Sequence, residues 1–219
     1  MRSPRIAIPA TVRAMALETP ALLDAARSAT GLDDFGDPSF REGLDVLLQA
    51  IDGEGRLNEI GGFAHEALLG GYLQQRLRIE DWYRRHPEIA REEIGGPLFV
   101  TGLPRTGTTA LSHLLSADPD TRYLAMWESQ EPTPPPERAT YATDRRIAEA
   151  DARNAFFRND PDFLRMYDGT ATSPNENIDL LGQHFATEHF EGMAHVPSYV
   201  RWWPGHDMVP AYRPHERVP

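Results

Sequence analysis

The sequence predicts an α/β fold in which a helical N-terminal region precedes a three-layer domain with a parallel sheet. Two observations support this prediction. Up to Arg85 the chain carries apolar side chains at helical intervals. Beyond that point, an apolar run at Leu98–Thr101, a glycine-containing loop, a helical segment and a second apolar run at Tyr123–Trp127 follow one another in the order of a βαβ unit. We therefore divide the chain into a helical region, 1–95, and a sheet domain, 96–219.

Three amphipathic segments make up the N-terminal region. The first, Val12–Ala29, ends at Gly31. The second begins at the Asp37-Pro38 pair, where Asp37 is suited to cap a helix and Pro38 to occupy its first position. The third, Leu57–Arg85, contains two glycine pairs, which cost helix propensity and are therefore expected to mark bends or close packing.

The sheet domain contains two predicted strands and three predicted helices. Leu98–Thr101 is a short apolar run, typical of a fully buried parallel strand, and Gly107–Ala117 predicts the helix that follows it. Tyr123–Trp127 predicts the next strand. Further helices are predicted over Thr140–Met166 and Glu176–Phe190. A sheet of only two strands is not expected to be stable alone.

The loop between the first strand and its helix predicts an anion site. Gly102 and Gly107 have the spacing of a P-loop, G-x-x-x-x-G, but a P-loop continues with lysine and then serine or threonine. Here those positions are Thr108 and Thr109, and all 22 basic residues of the chain are arginine. Arg105 adds forked donors suited to phosphate or sulfate, and the helix directs its free N–H groups into the loop. The domain is therefore predicted to be P-loop-like without ordinary Walker chemistry.

Three segments carry a resemblance to a known family. Residues 101–109, T-G-L-P-R-T-G-T-T, resemble the 5′-phosphosulfate-binding loop of sulfotransferases that use 3′-phosphoadenosine 5′-phosphosulfate (PAPS), most of all bacterial and especially actinobacterial members. The resemblance continues upstream through R-L-R-I-E-D-W-Y-R-R-H-P-E-I (76–89). Downstream it continues through D-P-D-T-R-Y-L-A-M-W-E-S-Q-E-P-T-P-P-P-E (118–137), and then more weakly to Trp203.

This resemblance implies a reaction and a donor site. The reaction is the transfer of a sulfuryl group from PAPS, a co-substrate, to a hydroxyl or amine acceptor by in-line displacement, with no metal. Arg105 is implied to stabilise charge on the bridging and sulfonate oxygens electrostatically, because arginine is a poor proton donor. The implied donor-binding residues are Leu103, Pro104, Arg105, Thr106, Gly107, Thr108 and Thr109.

The acceptor needs a general base, and Glu128 is the candidate. It follows the second predicted strand, at the edge where open α/β sheets bind their ligands. In the alternative interpretation, Glu128 caps the turn or pairs with an arginine, and position alone does not decide between the two. Some relatives carry a histidine near residues 166–172, where this chain has M-Y-D-G-T-A-T, which argues against a histidine base.

The C-terminal side departs from the family. Sulfotransferases bind the 3′-phosphate of PAPS with an arginine and a serine after a later strand, and no matching segment occurs before Pro219. We therefore expect the C-terminal part of the sheet to be absent, either in a fragment of a longer reading frame, which we favour, or in a degenerate relative. Two alternative functions stay open: a non-catalytic truncated relative, and a nucleotide-dependent, kinase-like P-loop enzyme, against which the missing lysine argues.

Composition excludes several partner classes. A net charge of −11 argues against nucleic acid. The absence of cysteine excludes disulfides and thiolate metal sites, and no H-E-x-x-H motif occurs. The sequence has neither an apolar run long enough for a membrane span nor the pattern of a secretory signal, so a cytoplasmic location is expected. The expected partner is a small-molecule acceptor; lipid, sugar, phenol and amine acceptors all stay open, as does the oligomeric state.

Overall fold

The structure is a computed structural model that describes residues 17–92, 95–103, 105–158 and 169–213, and it is mainly helical. We number the α-helices of these residues in chain order. They are α1 (Thr19–Thr30), α2 (Phe40–Glu54), α3 (Glu59–Arg85), α4 (Thr108–Ser116), α5 (Met126–Gln130), α6 (Arg145–Arg158), α7 (Ile178–Gly182), α8 (Pro197–Trp202) and α9 (Val209–Tyr212). Short 3₁₀ helices occur at Pro87–Arg91, Tyr141–Thr143, Glu188–Gly192 and Trp203–Gly205.

The contacts within the chain divide it into two compact units. The first combines Met1–Leu77 with Gly182–Met208, and the second combines Arg78–Leu181 with Val209–Pro219. The first unit therefore takes a C-terminal segment onto the N-terminal helices. The predicted division at residue 95 stays a prediction.

Residues at the ends of α1 and α2 explain where these helices begin and end. α1 has Pro20 in its first turn and ends at Gly31, whose φ of 70° requires the left-handed conformation that glycine adopts readily. The start of α2 was predicted within two residues of its observed position. Helical geometry begins at Phe40 instead of Pro38, and the Asp37 carboxylate accepts a hydrogen bond from the Ser39 N–H in the turn before it.

α3 is one continuous helix of 27 residues, so neither glycine pair interrupts it. At Gly61 a Cβ would lie 3.3 Å from Asn58 Oδ1, which is the close packing expected of the first pair. Neither Gly70 nor Gly71 has a neighbour within 4 Å of the place where a Cβ would lie, so close packing within the described chain does not explain them. The opposite face of α3 is buried. Its core residues are Leu69, Tyr72, Leu73 and Leu77, and they pack with Leu22, Leu23, Ala26, Phe40, Leu44 and Leu47 from α1 and α2 and with Phe185, Phe190 and Tyr199.

Tyr199 holds the C-terminal segment of the first unit together. Its hydroxyl accepts a hydrogen bond from the Thr187 N–H at 3.0 Å and lies 3.0 Å from the Phe185 and Thr187 carbonyl oxygens. The ring is buried, and burial raises the pKa of its phenol. The hydroxyl therefore stays protonated and can serve the backbone both as donor and as acceptor.

His184 is a buried histidine in the same unit. Its Nε2 lies 3.2 Å from the Ser39 hydroxyl, and its Nδ1 is buried without a hydrogen-bond partner among the described residues. Burial, with the Arg76 guanidinium and then His206 adding to it, lowers the pKa of His184 to about 4, while Asp37 acts weakly in the opposite direction. The imidazole is therefore neutral in the folded protein at neutral pH.

Because the pKa of His184 is lowered in the folded protein, we expect the protein to lose stability in mild acid. The unfolded chain binds the proton at a pKa near 6.5 and the folded chain only near 4, so the free energy of unfolding falls as the pH falls through that window. We expect His184 to contribute a loss of about 2 kcal/mol between pH 7 and pH 5. Denaturant unfolding of the wild type and of His184→Gln at both pH values measures it. If the two proteins lose the same amount, His184 is not the responsible group.

The first predicted strand, Leu98–Thr101, is not a strand in the structure. Residues 95–103 have no regular secondary structure, and Leu98 and Phe99 are 76% and 79% exposed where burial was predicted. The physical reason is that a strand needs a neighbour to take its backbone hydrogen bonds. Among the described residues, the only β-type pairing is an isolated antiparallel bridge between Ala125 and Pro174.

The second predicted strand, Tyr123–Trp127, is also wrong. Its backbone meets the segment 171–175 through three bonds: the N–H groups of Met126 and Trp127 donate to the Ser173 and Ala171 carbonyls, and the Asn175 N–H donates to the Leu124 carbonyl. The chain then turns into α5 at Met126. Ala125 and Trp127 are buried in a cluster with Ala150 and Ala171, but they lie in a bridge and a helix instead of a strand.

The later predicted helices are only partly present. α6 occupies residues 145–158 of the predicted 140–166, preceded by a 3₁₀ turn, and residues 159–168 lie outside the described part of the chain. The predicted helix Glu176–Phe190 is broken into α7 and a 3₁₀ helix. The break is at Phe185, whose φ of 55° is incompatible with a right-handed helix.

Candidate active site

The predicted anion loop closes on itself through one side chain. The Thr106 hydroxyl donates a hydrogen bond of 2.7 Å to the Leu103 carbonyl. Gly102 sits against this turn, because a Cβ on it would lie 2.9 Å from both Thr106 Oγ1 and Thr108 Cγ2. The first glycine of the motif is therefore required by the close approach of two threonine side chains. Pro104, which the resemblance places in the donor site, lies outside the described residues.

Two left-handed residues shape the end of the loop. Gly107 has a φ of 94° and is the N-cap of α4, a conformation open to glycine without steric cost. Arg105 has a φ of 64°, which a non-glycine residue adopts only at some cost in free energy. Strained residues of this kind concentrate at functional sites, where the surrounding structure maintains them.

The N-terminus of α4 supplies backbone donors. The first i to i−4 bond of this helix runs from the Leu111 N–H to the Gly107 carbonyl. The N–H groups of residues 108–110 precede that bond and have no intrahelical partner. α4 is nine residues long, so its dipole adds positive potential at this end. Thr108 is half-buried and Thr109 is exposed.

The Arg105 side chain is exposed and makes no hydrogen bond or ion pair with another described residue. A free guanidinium beside a helix N-terminus is a suitable arrangement for a phosphate or sulfate group. The loop residues predicted for the donor site, apart from Pro104, are therefore brought together, and the chemistry that they present is anion binding.

Glu128 lies in a separate, buried cluster. Its side chain is 3% exposed, and its Oε1 accepts a hydrogen bond of 2.5 Å from Arg122 Nη2. Its Oε2 accepts from Arg122 Nη1 at 3.2 Å, from the Ala125 N–H at 2.8 Å and from the Tyr141 hydroxyl at 3.0 Å. Arg122 is half-exposed and also donates to the Tyr123 carbonyl.

Both contacts of the alternative interpretation of Glu128 are thus present: it caps α5 and pairs with an arginine. Burial, and to a smaller extent the Glu128 carboxylate, raise the pKa of the Tyr141 phenol to about 12. The phenol therefore remains a donor. Among the described residues, Glu128 makes no hydrogen bond or ion pair with the loop that carries Arg105. The base role of Glu128 stays a prediction.

Comparison with known proteins decides the family. The profile of the sulfotransferase family matches residues 97–212, which is more than half of the chain and includes the loop, α4 and the Glu128 cluster. The chain belongs to the sulfotransferase family. No curated protein matches it.

Two solved structures are similar to this chain. Sulfotransferase STF1 from Mycobacterium tuberculosis H37Rv is 35% identical, with a TM-score of 0.80 over 94% of this chain and 57% of its own. Sulfotransferase STF9 from Mycobacterium avium is 26% identical, with a TM-score of 0.81 over 91% of this chain and 52% of its own. The chain therefore spans little more than half the length of either structure.

Sequence reasoning missed the polar contacts around a buried arginine. Arg146 forms a salt bridge with Asp144, donates to the Glu131 and Pro134 carbonyls, and lies 4.7 Å from the centre of the Trp127 ring. These bonds hold the proline-rich turn over α6. The Arg146 hydrogen bond lowers the pKa of Asp144. No spacing rule joins these residues, and the step from Ala125 to Glu128 lacks the serine or threonine of a capping box, so it carried no signal either.

The described residues contain no cluster of three or more side chains that could hold a metal ion. In the same part of the chain, no helix has the length and apolar character needed to cross a membrane. His113, on α4, is half-buried.

Proposed function

We propose that this chain binds PAPS and transfers its sulfuryl group to the hydroxyl or amine of a small-molecule acceptor. The observation that carries the proposal is the loop 102–109, in which an exposed arginine without a described partner stands next to the N-terminus of α4, within the segment matched by the family. When bound, the donor supplies the sulfuryl group, and the desulfated product is 3′-phosphoadenosine 5′-phosphate.

The loop residues have distinct roles in this proposal. The N–H groups at the start of α4 and the hydroxyls of Thr108 and Thr109 would hold the 5′-phosphate, because they are the unpaired donors at the helix end. Arg105 would hold the transferring oxygens and stabilise the charge that spreads over them. Thr106, whose hydroxyl is bonded to Leu103, would keep the turn closed instead of donating its hydroxyl to the ligand.

Glu128 is our proposed base for the acceptor proton. Its Oε2 accepts three hydrogen bonds, whereas its Oε1 accepts one, from Arg122, so Oε1 is the oxygen that keeps a lone pair for the acceptor proton. Arg122 would have to move aside for the acceptor to reach Oε1, and it can do so because its side chain is 52% exposed and can be solvated by water. The base role therefore requires the Arg122–Glu128 pair to open when the acceptor binds.

The parallel sheet also belongs to this proposal. Leu98 and Phe99 expose apolar side chains on a segment without regular secondary structure, as a sheet strand would without its neighbours. The two similar structures, which are sulfotransferases, share the fold of this chain and are longer than it. We propose that Leu98–Thr101 becomes a strand when ladder partners are supplied. The predicted cytoplasmic location stays a prediction.

Calorimetric titration with 3′-phosphoadenosine 5′-phosphate tests the donor site. We expect saturable binding of the bisphosphate in preference to ATP with magnesium. We expect Arg105→Ala to weaken it by about tenfold or more, since a hydrogen bond to a charged group is lost. Arg105→Lys should recover part of the affinity because it keeps the charge.

Arg145→Ala is the matched control, because Arg145 is an exposed arginine whose partner is Glu149 on α6 and which lies outside the loop. A folded protein that ignores the bisphosphate contradicts the proposal and favours the non-catalytic alternative. A clear preference for ATP with magnesium would favour the kinase-like one.

A further inference from the structure

The Arg122 guanidinium occupies a place where two different groups attract positive charge. Its Nη2 donates to Oε1 of the Glu128 carboxylate at 2.5 Å, and its Cζ lies 5.7 Å from the centre of the Tyr141 ring. A buried carboxylate and the face of an aromatic ring both favour a cation beside them. We call the place between these two groups the cation position. Among the described residues, Arg122 alone forms an ion pair with Glu128.

The carboxylate of the cation position is fixed, whereas the guanidinium can be replaced. Oε2 of Glu128 accepts hydrogen bonds from the Ala125 N–H at 2.8 Å and from the Tyr141 hydroxyl at 3.0 Å, and neither of these bonds depends on Arg122. The Glu128 side chain is buried, but that of Arg122 is half-exposed and reaches the carboxylate from the surface. When Arg122 moves into water, the two neutral donors remain and the buried negative charge loses its counter-charge.

We infer that the acceptor is an amine whose ammonium group replaces the Arg122 guanidinium at the cation position. This inference rests on the proposed function, in which Arg122 moves aside so that the acceptor reaches Oε1 of Glu128. A neutral hydroxyl in that place would leave a buried carboxylate unpaired, which is strongly unfavourable. An ammonium group carries the same charge as the guanidinium, so Glu128 stays paired when one replaces the other. The cation position therefore selects an amine over a hydroxyl.

The exchange also places the acceptor nitrogen against the oxygen that takes its proton. The ammonium N–H donates to Oε1, and transfer of that proton to Glu128 leaves a neutral amine with a lone pair. The lone pair forms the N–S bond to the sulfuryl group of PAPS. The S–O bond to the 5′-phosphate breaks, and its electron pair stays on the phosphate oxygen. The nitrogen then loses a second proton to water, so the products are a sulfamate, 3′-phosphoadenosine 5′-phosphate and two protons.

Chemical rescue of Arg122→Ala tests the cation position without any sulfuryl donor. We expect benzylammonium chloride to raise the urea midpoint of this variant in a saturable way, and benzyl alcohol in the same concentration of sodium chloride to leave it unchanged. If the variant is unfolded in buffer, its refolding in each compound gives the same comparison. Arg145→Ala, which opens an exposed pair, should respond to neither. Equal effects of the two compounds, or rescue of the double variant Arg122→Ala with Glu128→Gln, overturn the inference.

Sulfuryl transfer to a matched pair of acceptors tests the amine directly. With radiolabelled PAPS and the wild type, we expect kcat/KM for benzylamine to exceed that for benzyl alcohol by at least about tenfold, since only the ammonium group keeps Glu128 paired. A preference for the alcohol overturns the assignment of an amine and leaves the proposed sulfuryl transfer intact. If neither compound is sulfated, the bisphosphate titration decides the proposed function and the rescue experiment decides the cation position.

Discussion

Replacing Gly43 with alanine is expected to lower the free energy of unfolding by about 2–3 kcal/mol. A Cβ at this position of α2 would lie 2.5 Å from the Phe185 carbonyl oxygen and 3.0 Å from the carbonyl carbon. Real Cβ atoms essentially never approach so closely, and the obstacle is backbone, which cannot rotate away as a side chain can. The helix would have to separate from the segment that it packs on. Urea unfolding of the purified variant measures the effect.

Gly53 provides the control for Gly43 within the same helix. A Cβ at Gly53 meets nothing within 4 Å, so Gly53→Ala should raise the free energy of unfolding by about 0.5 kcal/mol through helix propensity alone. The two substitutions are chemically identical and differ only in their surroundings. If Gly43→Ala were as stable as the wild type, α2 would not pack on the 184–185 backbone as described.

The N-terminal helices could be predicted because their signal is local. In α2, the spacing of Leu44, Leu47 and Leu48 defined the buried face, and all three are buried. Helix boundaries were less accurate: the Asp37-Pro38 turn marks the approach to α2, yet helical geometry starts only at Phe40. The segment over which α2 packs is more than 130 residues away, and no periodicity in the sequence relates the two.

Strands could not be predicted in the same way, because a strand is stabilised by partners distant in sequence. The apolar run at Leu98–Thr101 has the composition of a buried strand but has no ladder partner among the described residues. The loop that follows it depends on nearby residues only, and its geometry agrees with the motif: Gly102 is crowded by Thr106, and Gly107 is left-handed.

The surroundings of Glu128 also depend on contacts between residues that are separated in the sequence. Capping of the turn and pairing with an arginine were both part of the alternative interpretation of Glu128, but the sequence identified neither the Ala125 N–H nor Arg122 as the partner. Its other partner, Tyr141, is thirteen residues away and reaches it only because the intervening turn folds back. Burial and these three partners together decide what this carboxylate can do. The cap and the arginine were predicted as kinds of contact, whereas the Tyr141 contact was not.

Arg122→Met is expected to lower the free energy of unfolding by about 3 kcal/mol, because it leaves the buried Glu128 carboxylate without its counter-charge. The Glu128 side chain is 3% exposed, and the Ala125 N–H and the Tyr141 hydroxyl would be its remaining partners. Arg145→Met is the control, since an exposed pair such as Arg145–Glu149 contributes little to stability. Urea unfolding at neutral pH compares the two variants.

Substitution of the other partner, Glu128→Gln, should cost less stability than Arg122→Met. In Glu128→Gln the amide oxygen can still accept from the Ala125 N–H, and the half-exposed Arg122 can be solvated by water. In the double variant Arg122→Met with Glu128→Gln, no buried charge is left unpaired, so most of the stability lost in Arg122→Met should return. If the double variant is instead no more stable than Arg122→Met, the loss comes from the contact of the guanidinium with the Tyr141 ring and not from the pairing with Glu128. A Glu128→Gln variant that keeps nearly full stability is then the protein in which to measure sulfuryl transfer, because any loss of rate in it reports on the proton and not on the fold.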